Sequence, residues 1–143
     1  MTPGDPMETM RPLAEAPSAA VLVVRQEDGS PLVTPVWFRV SGDAFEVVIA
    51  AGDRKLAHLR RDPRCVFLVF ETTPPFRGAE VHADAELSGE NVEETRLAIT
   101  TRYLGTEGAR RFVAARGPGF VVRLPISAAR TWDLGGILPD HEP

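Results

Sequence analysis

The sequence holds a single cysteine, Cys65, which excludes an internal disulfide framework and a thiolate metal cluster. The apolar neighbours of Cys65 indicate a buried, unreactive thiol. No apolar run approaches the roughly 20 residues of a membrane span, and the N-terminus lacks a basic-then-apolar signal pattern. We therefore expect a cytoplasmic protein with no membrane partner.

Histidine is also scarce, and the residue patterns of several enzyme classes are missing. The three histidines His58, His82 and His141 are far apart, so no metal site is predicted. The glycine-rich loops of Rossmann and P-loop proteins are absent, and no serine lies in a nucleophile-elbow sequence. No side chain is therefore predicted to act as a catalytic acid, base or nucleophile.

The composition is that of one ordinary globular domain: 143 residues, 43% of them hydrophobic and 25% charged. The net charge of -4 argues against nucleic acid as the main partner. It leaves room for a local basic site that binds a small anion.

Apolar periodicity predicts six or seven strands with short helices between the later ones, which favours a small closed or split barrel. We expect a flexible segment with a possible short helix over 1–17, the barrel domain over 18–134 and a loose tail over 135–143. Helices are predicted over 7–15, 54–61, about 92–104 and 107–116. The predicted strands cover 18–24, which is expected to be buried on both faces, and 32–40, 44–50, 65–70, 79–87, 120–124 and 127–134.

Two candidate binding features lie between residues 32 and 63. Pro35 breaks the strand pattern, and Thr34 and Trp37 beside it offer a hydroxyl and a flat apolar wall for a ring system. Arg54 and Lys55 begin a predicted helix, where cations and free backbone N–H groups together suit a phosphate. An ordinary strand with a core tryptophan, and a solvated pair of cations, are the alternatives.

Ordered motifs across the chain carry a family resemblance. They are Asp28-Gly29-Ser30-Pro31-x-x-Thr34-Pro35-Val36-Trp37-Phe38, Lys55-x-x-x-Leu59-Arg60-Arg61-Asp62-Pro63-Arg64, Pro75-Phe76-Arg77-Gly78-x-Glu80-Val81, and Arg102-Tyr103-Leu104-Gly105. Together they resemble the pyridoxamine 5′-phosphate oxidase-related flavin-binding split-barrel proteins. More narrowly, they are similar to the deazaflavin (F420)-dependent actinobacterial branch. The resemblance covers roughly residues 19–132.

The resemblance implies a mainly β fold, a six-stranded and mostly antiparallel split barrel, that works as a homodimer. The cofactor, FMN or coenzyme F420, would lie in a groove between the subunits. Lys55 would hold its phosphate with Arg54 alongside, and Thr34, Pro35, Val36 and Trp37 would line the ring. The second subunit would contribute Phe76, Arg77 and Trp132.

The same resemblance implies an FMN- or F420-dependent oxidoreductase that transfers a hydride between the cofactor and a small conjugated substrate. A non-catalytic binder or carrier of flavin, deazaflavin or haem is the alternative, and a relative that has lost its cofactor is a third possibility. Two positions depart from the family pattern. Asp53 stands where a basic or hydroxyl residue is common, and His58 where asparagine is. Asp53 would repel a phosphate unless it serves as the helix cap.

Overall fold

The computed structural model describes residues 6–126 and 128–138. Within these ranges the chain forms two antiparallel sheets and three helices. The five-stranded sheet has the order β2-β1-β5-β6-β9, with β1 Ala19–Arg25, β2 Pro31–Pro35, β5 Arg64–Phe70, β6 Gly78–Asp84 and β9 Ala129–Trp132. The four-stranded sheet has the order β3-β4-β8-β7, with β3 Arg39–Ser41, β4 Ala44–Ala50, β7 Glu86–Ser88 and β8 Gly119–Pro125. The helices are α1 Pro6–Glu15, α2 Arg54–Arg61 and α3 Val92–Ala114.

Two of the predicted strands, 32–40 and 79–87, each divide into two strands that belong to different sheets. β2 ends at Pro35, which lacks an N–H for further pairing, and the chain then crosses to β3 in the other sheet. In the same way β6 passes through Ala85 into β7, which pairs with β8. The split-barrel class is therefore confirmed. The described ranges hold nine short strands, because the two crossovers divide two of the seven predicted strands. The resemblance had implied six.

The core lies between the sheets and is centred on three phenylalanines. Phe38, Phe45 and Phe67 are each 0% exposed, and their ring centroids are 4.6 to 5.4 Å apart. β1 was expected to be buried on both faces, but its residues alternate. Leu22 on the inner face is fully buried, whereas Val23 on the outer face is half-buried. The outer face of β1 is therefore apolar yet partly accessible in a single chain.

Helix α1 seals one end of this core. Its Met10 and Leu13 are 1% and 0% exposed, and the helix packs on β6 and β9. The short helix expected in the segment 1–17 corresponds to α1. Residues 1–5 and 139–143 lie outside the described ranges, and residues 135–138 form a turn after β9.

Helix α3 takes the place of the two helices predicted on either side of Gly105. Gly105 has φ 75° and ψ 175°, so the helix is kinked where the sequence predicted a break. Just before the kink, Arg102 donates to the Ala16 carbonyl at 2.7 Å and Tyr103 Oη donates to the Ser18 carbonyl at 3.1 Å. These bonds fasten α3 to the junction between α1 and β1.

Within the described residues, no helix is long and apolar enough to cross a bilayer. The same ranges hold no group of three or more histidine, cysteine, aspartate or glutamate side chains arranged to bind a metal ion.

Cys65 lies inside the barrel, 6% exposed, and its Sγ is 3.5 Å from the Ala83 carbonyl oxygen to which it donates. Burial raises the pKa of the thiol to about 12, so the unreactive protonated form dominates at neutral pH. We expect iodoacetamide at about pH 8 to leave the native protein unmodified and to alkylate it fully in denaturant. Mass spectrometry measures both states. Rapid alkylation of the native protein would show that the thiol is accessible as thiolate.

Candidate functional site

A groove of about 240 Å³ brings together the two features that the sequence predicted separately. One wall is the crossover from β2 to β3, and the floor is the end of β4. The start of α2 closes one side and α3 the other. The lining residues are Thr34, Pro35, Val36, Trp37, Val48, Ile49, Ala50, Asp53, Lys55, Arg96, Ile99, Thr100, Phe112 and Arg116.

The crossover places Trp37 in the groove because the side chain of its neighbour Phe38 is buried in the core. The Val36 N–H donates to the Ala20 carbonyl at 3.0 Å and holds the chain against β1 as it leaves the sheet. Trp37 remains 37% exposed. Its ring stacks on Tyr103 with a centroid distance of 5.1 Å and an interplanar angle of 11°. Trp37 is thus a wall of the groove and not a core residue.

Tyr103 supports that wall from behind. Its hydroxyl accepts from the Phe38 N–H at 3.4 Å and donates to the Ser18 carbonyl. Burial raises the pKa of the phenol, so the hydroxyl stays protonated at neutral pH. Because the hydroxyl uses both its donor and its acceptor capacity on backbone groups, Tyr103 positions the crossover and Trp37.

Asp53 caps helix α2 and also pairs with Lys55, the only lysine in the sequence. The Lys55 N–H donates to Asp53 Oδ1 at 2.9 Å, and Lys55 Nζ lies 2.8 Å from Asp53 Oδ2. The Lys55 side chain is only 11% exposed. Burial alone would raise the pKa of Asp53, but the bonds from the Lys55 side chain and backbone outweigh it and hold the pKa below its usual value. Asp53 therefore supplies the cap that the sequence allowed, and it also neutralises the predicted phosphate ligand.

The other sequence-predicted residues do not line the groove of a single chain. Arg54 is exposed at the start of α2. Arg77 is tied to Glu71, with Nε 3.0 Å from Oε2, and Phe76 precedes it in the left-handed region at φ 56°. Trp132 covers Gly78, where an added Cβ would lie 2.2 Å from the indole ring. Their contribution to the groove of a second subunit stays a prediction.

Helix α3 and the residues just after it supply five lining residues that the sequence did not assign to the site: Arg96, Ile99, Thr100, Phe112 and Arg116. In the helix predicted over about 92–104, Arg96 and Ile99 lie three residues apart and so share one face, and an arginine on that face was the available sequence signal. Phe112 lies past the kink at Gly105 and packs against Trp37 with a centroid distance of 5.3 Å. Arg116 stacks over the Phe112 ring at 4.0 Å. The remaining residue of this group is Thr100.

The family model of pyridoxamine 5′-phosphate oxidase matches residues 6–133, nearly the whole chain. The chain belongs to the pyridoxamine 5′-phosphate oxidase family. No curated protein matches the sequence. The family assignment agrees with the split barrel and with the order of motifs along the chain.

Solved structures share the fold of this family member at low sequence identity. The conserved hypothetical protein Rv2991 from Mycobacterium tuberculosis has a TM-score of 0.79 and 24% identity, covering 97% of this chain and 91% of that one. A structure described as an F420 reductase has a TM-score of 0.69 and 19% identity, covering 84% and 94%. A haem-binding protein from Mycobacterium smegmatis has a TM-score of 0.70 and 16% identity, covering 92% and 55%.

Replacing Asp53 separates its two roles in this family member. Asparagine is as good an N-cap as aspartate, whereas alanine is not. We expect Asp53→Ala to lower the free energy of unfolding by about 1–3 kcal/mol, because it removes the cap and leaves Lys55 without its partner. Asp53→Asn should cost less than Asp53→Ala. Urea denaturation measures both, and equal losses would contradict the capping role.

The difference in stability between the wild type and Asp53→Asn is expected to depend on pH. Since folding lowers the pKa of Asp53, the stability it contributes is present above the unfolded value of about 4. That stability is lost as the pH falls through the folded pKa. The difference between wild type and Asp53→Asn should therefore shrink on acidification below about pH 4. A difference that stays constant from neutral to acidic pH would argue against the ion pair.

Proposed function

We propose that the groove binds a flavin or a deazaflavin, FMN or coenzyme F420, and that the protein is an oxidoreductase acting on a small conjugated substrate. One observation carries this proposal: a flat aromatic wall at Trp37 and a buried cation at Lys55 line the same groove. Sequence pattern had left these two features as separate possibilities.

The donors and surfaces of the groove fit a ligand with a planar ring and an anionic group. Pro35, Val36, Trp37 and Ile99 present apolar surface for the ring. Lys55, Arg96 and Arg116 present positive charge for the anion. A flavin or deazaflavin, when bound, supplies the capacity to accept or donate a hydride.

On this proposal the side chains bind and orient the reacting molecules and exclude water. Asp53 is ionised at neutral pH and engaged with Lys55, so it has no proton to donate. The Tyr103 hydroxyl is bonded to two backbone groups. The groove is thus suited to hold a redox cofactor and not to acid–base catalysis by its own side chains.

A non-catalytic carrier or binder is the second candidate, and two observations bear on it. The Asp53–Lys55 pair offsets the positive charge that would attract a phosphate, and the fold is shared with a protein whose name says that it binds haem. Among the described residues, however, the groove lining includes no histidine, cysteine, methionine or tyrosine to serve as an axial ligand. We therefore favour a flavin or deazaflavin over haem.

Titration with FMN and coenzyme F420 tests the proposal directly. We expect one of them to bind the wild type, and Lys55→Ala to weaken binding at least tenfold, on the order of 1.4 kcal/mol. Arg110→Ala, which removes an exposed cation outside the groove lining, is the control and should bind normally. No binding of either cofactor, or equal binding by Lys55→Ala, would overturn the proposal.

A double variant keeps that test interpretable. Lys55→Ala alone leaves the Asp53 carboxylate without its partner, and this carboxylate repels an anionic ligand. Asp53→Asn/Lys55→Ala removes both charges. Any loss of cofactor affinity that persists in the double variant therefore measures the attraction between Lys55 and the cofactor. Full recovery there would assign the effect to Asp53 alone.

We also propose that two copies of the chain associate through the outer face of the five-stranded sheet. Cross-strand neighbours on this face form an apolar patch, with Val33 59% exposed. Its other members are Pro35, Val21, Val23, Val66 and Leu68. Glu80 lies at its rim, 3.0 Å from His82 and 3.4 Å from Arg130. Pro35 also lines the groove, so a second copy on this face would reach the mouth of the cofactor site.

Light scattering at micromolar concentration is expected to report a dimer. Val33→Glu should shift the protein to monomer, because it puts a charge on the exposed edge strand of the apolar patch. Leu97→Glu alters another exposed apolar residue, 40% exposed on α3, and should stay dimeric. A monomeric wild type, or a dimer unaffected by Val33→Glu, would contradict this arrangement.

A further inference from the structure

Arg96 is a buried cation with almost no partner in the protein. It is 8% exposed, and the guanidinium donates one hydrogen bond, from Nη1 to the Gly117 carbonyl at 2.9 Å. No carboxylate in the described ranges lies within ion-pair distance of it. An arginine stays charged at all ordinary pH values, so burial without an anion is costly.

The uncompensated guanidinium reaches the groove. Among buried side-chain nitrogens of the described residues, only Nε of Arg102 lacks a partner altogether. The Arg96 nitrogens without a protein partner are therefore in contact with solvent, and Arg96 is part of the groove lining. Its remaining donors are available to a ligand there.

The surrounding backbone is shaped to hold this side chain. An added Cβ at Gly119 would lie 2.5 Å from Arg96 Nη2 and 2.8 Å from the Ile49 carbonyl oxygen. Glycine at this position leaves the space that the guanidinium occupies beside the paired ends of β4 and β8. The Gly117 carbonyl fixes the other side of the same group.

A second cation lies on the same wall. Arg116 immediately precedes Gly117, is exposed, and stacks over Phe112, which also lines the groove. Like Arg96, it has no ion pair within the described ranges. The two arginines differ in this respect from Lys55, whose charge is already offset by Asp53.

We propose that Arg96 and Arg116 form an oxyanion-binding subsite of the groove, separate from Lys55, for a carboxylate or phosphate group of the ligand. Guanidinium groups match both anions, and a stacked arginine is pre-oriented for such a contact. The subsite selects ligands that carry an anionic group beside a flat apolar body. The inference rests on the proposed function only in taking the groove as the ligand site.

The test uses the full chain without cofactor, so its outcome is independent of flavin or deazaflavin binding. Benzoate, phenyl phosphate and neutral benzamide share one ring and differ in the attached group. Nuclear magnetic resonance of the arginine Nε–H signals follows each titration. We expect at least one of the two anions to shift the Arg96 signal saturably and benzamide to leave it unmoved. The tighter of the two anions identifies the carboxylate or the phosphate as the preferred group.

Variants assign the anion to these residues. Arg96→Met keeps the bulk of the side chain and should weaken anion binding about tenfold, while Arg96→Lys should recover part of the affinity. Arg116 is exposed, so Arg116→Gln should leave the fold intact. It should weaken anion binding severalfold. Lys55→Met should have a smaller effect than either. Binding of neither anion, equal effects of benzoate and benzamide, or a loss confined to Lys55→Met would overturn the proposal.

Discussion

The crossover between the two sheets is the constraint on which the barrel and the groove both depend. Pro35 ends β2, and the next three residues must reach the second sheet while filling the core. Phe38 does so by packing between Phe45 and Phe67. Its neighbour Trp37 is then directed out of the core and becomes a wall of the groove. A change that loosens Phe38 would therefore disturb the stability of the barrel and the shape of the site together.

Helix α3 holds the crossover in place and completes the groove. Tyr103 bonds the backbone at Phe38 and Ser18, and its ring stacks on Trp37. Beyond the kink at Gly105 the second half of the helix stays close to the same wall, where Phe112 also packs against Trp37. The helix also brings Arg96 beside β4. One element thus supplies the support for the aromatic wall and the uncompensated positive charge.

The sequence predicted those features of the fold that depend on interactions between residues close together in the chain. The cap at Asp53, the bounds of α2 and the break at Gly105 all follow from residues within one turn of the chain. Pro35 indicated a break in its strand, but nothing nearby showed that the chain changes sheets there. The contributions of Arg96 and Phe112 depend on how α3 packs across β4, which is a long-range contact. Pattern also could not show that Asp53 pairs with Lys55 as well as capping the helix.

Hydrogen–deuterium exchange with and without saturating FMN or coenzyme F420 tests the location of the site most directly. We expect the bound cofactor to slow exchange at the crossover around residues 34–38, at the start of α2 and in α3 near Arg96. A second cavity lies where β1 ends at Arg25 and β5 begins at Arg64, and its lining also includes His82 and Asp84. Protection confined to that cavity, or no protection anywhere, would contradict the account.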